Sequence, residues 1–129
     1  MLSRHDVISL IPIRDGDSAR HFYEETLGLR FVDDDGFAIV FEVHGRFLRL
    51  TRVPELTPQP FSIIGWQVPD IAETVRGLME RGVTFTRYPQ LEQDELGVWA
   101  TPDGSARVAW FPDPEGNVLS VVESPQPTP

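Results

Sequence analysis

Asp15 and Asp70 stand 55 positions apart, and so do Ile8 and Ile63. Each aspartate comes after an apolar, β-branched run and precedes a segment whose apolar residues fall at helical spacing. In the first copy Asp6–Ile13 (DVISLIPI) reads as a strand, and Ala19, Phe22, Tyr23 and Leu27 mark one helical face. Asp15 or Asp17 caps that helix, and Gly28 stops it. In the second copy Phe61–Val68 is the strand, and Ile71, Val75, Leu78 and Met79 mark the helix. Asp70 with Glu73 forms a capping box, and Gly82 closes the segment. Phe31 and Phe85 are 54 apart, one fewer because the second helix is shorter.

The segments after each helix extend the repeat. Leu29–Asp33, Phe37–Val43 and Arg46–Arg52 read as strands, separated by Asp33-Asp34-Asp35-Gly36 and His44-Gly45. Both turns carry the glycine that a tight hairpin needs. The second copy offers strands at Val83–Arg87, Gly97–Thr101, Ala106–Phe111 and Val118–Glu123. The expected fold class is therefore α+β: two tandem β-α-β-β-β modules forming a curved, cavity-enclosing mixed sheet with its helices outside. Residues 1–53 make the first module, 54–60 a proline-rich linker and 61–124 the second module. A disordered tail over 125–129 (PQPTP) is expected to finish one structural domain. Each unit has about 55 to 60 residues, one helix and one small sheet, and is marginal alone.

Composition removes several classes of function. No cysteine is present among the 129 residues, which excludes disulfides, thiolate metal sites, iron–sulfur clusters and a cysteine nucleophile. Eleven basic residues against 20 acidic ones give a net charge of −9, so no nucleic-acid partner is expected. The N-terminus lacks an apolar signal core, and no run nears the roughly 18 apolar residues of a membrane span. The expectation is a soluble, cytoplasmic protein with no membrane partner.

The stretch Phe22-Tyr23-Glu24-Glu25-Thr26-Leu27-Gly28-Leu29 resembles the FY…LG helix end of the vicinal oxygen chelate superfamily. That group includes glyoxalase I, extradiol dioxygenases, fosfomycin-resistance enzymes and bleomycin-resistance proteins. Asp113-Pro114-Glu115-Gly116-Asn117 is similar to its DPDGN hairpin before the last strand, and the resemblance spans about Val7 to Glu123. It implies the glyoxalase/bleomycin-resistance fold, a ligand cavity inside a U-shaped sheet and a homodimer.

Metal-binding members of that superfamily use four side chains, usually His, Glu or Gln. Carried over by motif spacing, the positions are Ile8, Ile63, Arg49 and Ser120. Two hydrocarbons, a fixed cation and a lone hydroxyl do not make the nitrogen and carboxylate shell that zinc or a hard divalent ion requires. At Ile8 and Ile63, slipping by one residue brings in only Val7, Ser9, Ser62 or Ile64. No metal and no cofactor are therefore expected.

Other chemistry is sparse. His5, His21 and His44 match no ligand pair at helical spacing, and no phosphate loop or serine-hydrolase elbow occurs. The acidic runs Asp33–Asp35 and Glu92, Asp94, Glu95 read as a solvated turn and loop rather than a cation site, and no catalytic pair stands out. Arg49 either grips a carboxylate or planar polar group of a ligand or pairs with an acid such as Glu42. Core packing is the default reading of Trp66 and Trp110. Trp99 fits either core or site, beside Leu91–Leu96, a loop placed to act as a lid. The favoured function is metal-independent binding of an aromatic or amphipathic small molecule in a groove lined by Ile8, Arg49, Ile63, Trp66, Trp99 and Ser120. The competing function is a lyase, isomerase or dioxygenase using an atypical metal site, for example through His5 and Glu42, or no metal.

Overall fold

In the computed structural model, which describes residues 1–125, the chain divides into two compact units, Met1–Thr57 and the part that begins at Pro58. The tail expectation falls mostly on residues 126–129, which lie outside the described residues. Among the described residues no helix is long and apolar enough to cross a membrane.

The first unit holds β1 (Ser9–Ile13), α1 (Gly16–His21), β2 (Arg30–Asp34), β3 (Ala38–Val43) and β4 (Arg46–Arg52). Its mixed sheet runs β1-β4-β3-β2, with β1 parallel to β4 and the other pairs antiparallel. Asp15 is the cap of α1: its carboxylate accepts the Asp17 and Ser18 N–H groups at 3.1 and 3.3 Å. The helix differs from the expected single run to Leu27. It widens into a π-helical turn over Phe22–Thr26, closed by the Leu27 N–H on the Phe22 carbonyl at 2.9 Å. The wider turn seats Tyr23, wholly buried, edge-on against Phe22 and 6.2 Å from the Phe41 ring on β3. The β3–β4 hairpin turns on His44 and Gly45, both with positive φ (50° and 81°), the pairing that a two-residue turn between twisted strands demands.

The second unit repeats this order with β5 (Ser62–Gln67), α2 (Ile71–Glu80), β6 (Trp99–Ala100), β7 (Arg107–Pro112) and β8 (Val118–Glu123), in a sheet ordered β5-β8-β7-β6. Asp70 caps α2 by accepting the Glu73 N–H at 3.1 Å. The neighbouring Ile71 N–H donates to the Glu123 carboxylate at 3.0 Å. Ile71 and Val75 are fully buried, as are Ala109 and Leu119 on the sheet.

The structure departs from the sequence pattern at Val83–Arg87, which reads as a strand and forms no ladder. Its backbone reaches β7 at one point, where the Thr86 N–H donates to the Trp110 carbonyl at 2.8 Å. A side chain fills the gap on the other side. The Gln93 amide donates to the Thr86 and Gly97 carbonyls at 2.9 and 2.8 Å and accepts the Tyr88 N–H at 2.7 Å. An amide side chain therefore does here what a neighbouring strand's peptide would do.

Candidate functional site

Side chains alternate along a strand, so one contact fixes which residues share a face. Glu123 reaches the α2 N-terminus, which puts Leu119, Val121 and Glu123 on the helix side of the second sheet and Ser120 and Val122 on the other. Register extends this across the strands. Gly65, Ser120 and Trp110 form one row of the face turned away from α2; Val122, Val108 and Trp99 contribute to the next. Trp66 pairs with Val121 and lies on the helix face instead. Ile63 sits in the register shift between Ser62 and Ile64.

The face away from α2 is aromatic. Trp99 and Trp110 lie 6.2 Å apart at 37°, and Tyr88 meets Trp110 edge-on at 5.3 Å. All three rings are only part-buried. Beside Trp110 sits a hydroxyl pair, Ser62 Oγ and Ser120 Oγ, 2.9 Å apart. The Ser62 hydroxyl also lies 2.9 Å from the Ile64 carbonyl. Gly65 is flush against them: a Cβ there would stand 2.8 Å from Ser120 Oγ. The arrangement offers flat apolar surface with a small polar notch, and contains no nucleophile–base pair.

The Leu91–Leu96 loop beside this face is fastened rather than loose. The Asp94 carboxylate accepts the Leu96 and Val98 N–H groups, both at 2.9 Å, and Arg87 donates to the Glu95 carbonyl at 2.9 Å. Those bonds, with the Gln93 amide, count against the expected lid.

In the first unit Tyr23 over Phe41, and the Arg20 guanidinium 3.5 Å over the Phe31 ring, identify the helix face. Leu10, Arg49 and Val40 form a row on the opposite face, where Leu10 is 61% exposed. Arg49 pairs with Asp35 at 3.7 Å. Glu42, the expected partner, instead accepts the Gly45 N–H at 3.2 Å. Ile8 precedes β1 and is also exposed. Asp35 is held below the usual carboxylate range, chiefly by the Ala38 and Phe37 N–H groups and further by Arg49. The Asp33–Asp35 run thus serves its turn.

The four positions carried over from the resembled superfamily do not form a metal shell. Ile8 and Ile63 offer hydrocarbon, Arg49 a cation held by Asp35, and Ser120 a hydroxyl already engaged with Ser62. Among the described residues no group of three or more His, Asp or Glu side chains gathers in a metal-binding arrangement. These positions do not fit a metal ion.

The sequence model of the Glyoxalase/Bleomycin resistance protein/Dioxygenase superfamily matches residues 6–121, and the chain belongs to that superfamily. Solved structures agree. A bleomycin resistance determinant encoded on the transposon Tn5 is 25% identical with a TM-score of 0.72, over 95% of this chain and 99% of that one. A superfamily member from Sphaerobacter thermophilus is 27% identical with a TM-score of 0.69, over 93% and 97%. A glyoxalase-family protein from Bacillus anthracis shares the fold at 16% identity and a TM-score of 0.72, over 94% and 95%. No curated protein sequence matches the chain.

Proposed function

We propose that this protein binds and sequesters an aromatic or amphipathic small molecule, without a metal, against the aromatic face of the second sheet. The observation that carries the reading is the grouping of Trp99, Trp110 and Tyr88 on the face that also presents Ser120. Covering about 150 Å² of such surface contributes about 4 kcal/mol at ~25 cal/mol per Å². That alone corresponds to a dissociation constant of about 1 mM, so tighter binding needs polar contacts as well. The Ser62–Ser120 notch supplies one such contact. The net charge of −9 favours a cationic ligand. The Tn5 structure is that of a bleomycin resistance determinant, and drug resistance by sequestration is one form that this function can take. The homodimer implied by the family resemblance belongs to the proposal, and sedimentation equilibrium should give twice the chain mass.

The test is a tryptophan-fluorescence titration with the planar cation thioflavin T, on protein stripped of metal by chelation and checked by elemental analysis. Saturable quenching, lost in Trp99→Ala and Trp110→Ala and unchanged by chelation, is the expected result. One equivalent of zinc, nickel, manganese or iron in protein purified without chelator, with no quenching once it is removed, would favour the lyase, isomerase or dioxygenase reading instead.

A further inference from the structure

We propose that Gln93 is the positioning residue of the aromatic face, fixing Tyr88 and Trp99 against Trp110 and so setting the shape that a planar ligand meets. This rests on the binding reading above. Among the described residues the segment 83–88 is held to β7 through the Thr86 N–H on the Trp110 carbonyl and forms no ladder with the stretch that carries Trp99. The Gln93 amide spans that gap. Both of its N–H groups are used, on the Thr86 and Gly97 carbonyls, and its carbonyl takes the Tyr88 N–H. Tyr88 is the residue whose ring meets Trp110, and Gly97 stands two positions before Trp99. Gln93 also forms an isolated bridge with Trp99 itself. One side chain therefore ties down the backbone on both flanks of Trp110.

The chemistry admits no substitute of equal length. Glutamate keeps the shape but turns an oxygen toward two carbonyl oxygens, so both donated bonds become repulsions. Leucine fills similar space and leaves two carbonyls and one N–H without their partner. Gln93 bonds the backbone that carries the rings, so its effect on binding passes through them.

The experiment compares wild type, Gln93→Glu and Gln93→Leu by three measurements: the far-ultraviolet exciton couplet of the Trp99–Trp110 pair, thioflavin T affinity, and urea unfolding. Trp110→Phe identifies the couplet. The expected result is folded variants with a collapsed couplet and about tenfold weaker thioflavin T binding. A couplet and affinity unchanged in folded variants would overturn the proposal, because a purely structural amide would shift only the urea midpoint. If wild type binds no thioflavin T, the functional reading fails while the couplet still reports on Gln93. Should neither variant fold, the wild-type Gln93 side-chain amide protons decide: slow exchange with solvent supports the clasp, and exchange at the rate of a free glutamine overturns it.

Discussion

Buried polar atoms set the geometry of the turn before the last strand. Asp113 and Asn117 are 5% and 2% exposed, and the Asp113 carboxylate accepts the Glu115 and Asn117 N–H groups and the Asn117 side-chain amide at 2.8, 2.9 and 3.0 Å. Asn117→Ala removes one donor from a buried carboxylate, and should lower stability by about 1–3 kcal/mol in urea unfolding. This turn was legible in the sequence because these three bonds join residues within five positions of one another. The Arg52–Asp34 pair was not, since 18 positions separate two residues that meet bidentately at 2.8 and 2.9 Å. The Arg52 guanidinium, with the Gly36 N–H behind it, lowers the Asp34 pKa from 3.8 to about 2. A carboxylate with a depressed folded pKa adds stability that is present above 3.8 and is lost as pH falls toward 2. Arg52→Gln should therefore raise the Asp34 titration midpoint, followed by carboxyl NMR, and make the acid limb of stability shallower. An unchanged midpoint would mean that Arg52 is not the cause.

Elements are where the duplication shows and where it breaks. The repeated strand–cap–helix pattern was readable because apolar spacing and a capping aspartate are local signals. The π-helical turn was not, because its Phe22–Thr26 residues keep helical spacing while the backbone widens to seat Tyr23. Val83–Arg87 reads as a strand, but its neighbour in space is the Gln93 side chain, and no local pattern announces that. Trp110 reads as core from its apolar run, and only register with Ser120 places it on the other face. Arg49 does meet an acid, as its fixed charge suggests, but the partner, Asp35, is contributed by a turn. At the β5–β8 contact, Gly65→Ala would drive a methyl group to 2.8 Å from Ser120 Oγ and 3.5 Å from its carbonyl oxygen. Separating the Ser62–Ser120 hydroxyls should cost about 1–3 kcal/mol in denaturant unfolding. It should also weaken thioflavin T binding by crowding the notch.

Charge acts at the scale of the whole molecule. All eleven basic residues are arginines, so the chain carries no lysine and its side-chain charge stays nearly constant between about pH 7.5 and 9. Thioflavin T affinity should be flat across that interval and fall with added salt, while the anion anilinonaphthalene sulfonate should bind more weakly and gain from salt. A cation affinity indifferent to salt would remove the electrostatic part of the reading. Superfamily membership was legible from two short motifs on a repeat, yet the metal positions carry other chemistry, and the proposed function rests on the aromatic surface. The three tryptophans supply their own control, because Trp66 lies on the helix face and Trp99 and Trp110 on the other. An indole N–H titration by NMR, with thioflavin T and metal-free protein, is the most direct measurement. Binding at the aromatic face predicts saturable shifts of the Trp99 and Trp110 signals with Trp66 unmoved. Shifts at Trp66 alone, or none until a divalent metal is added, would contradict it.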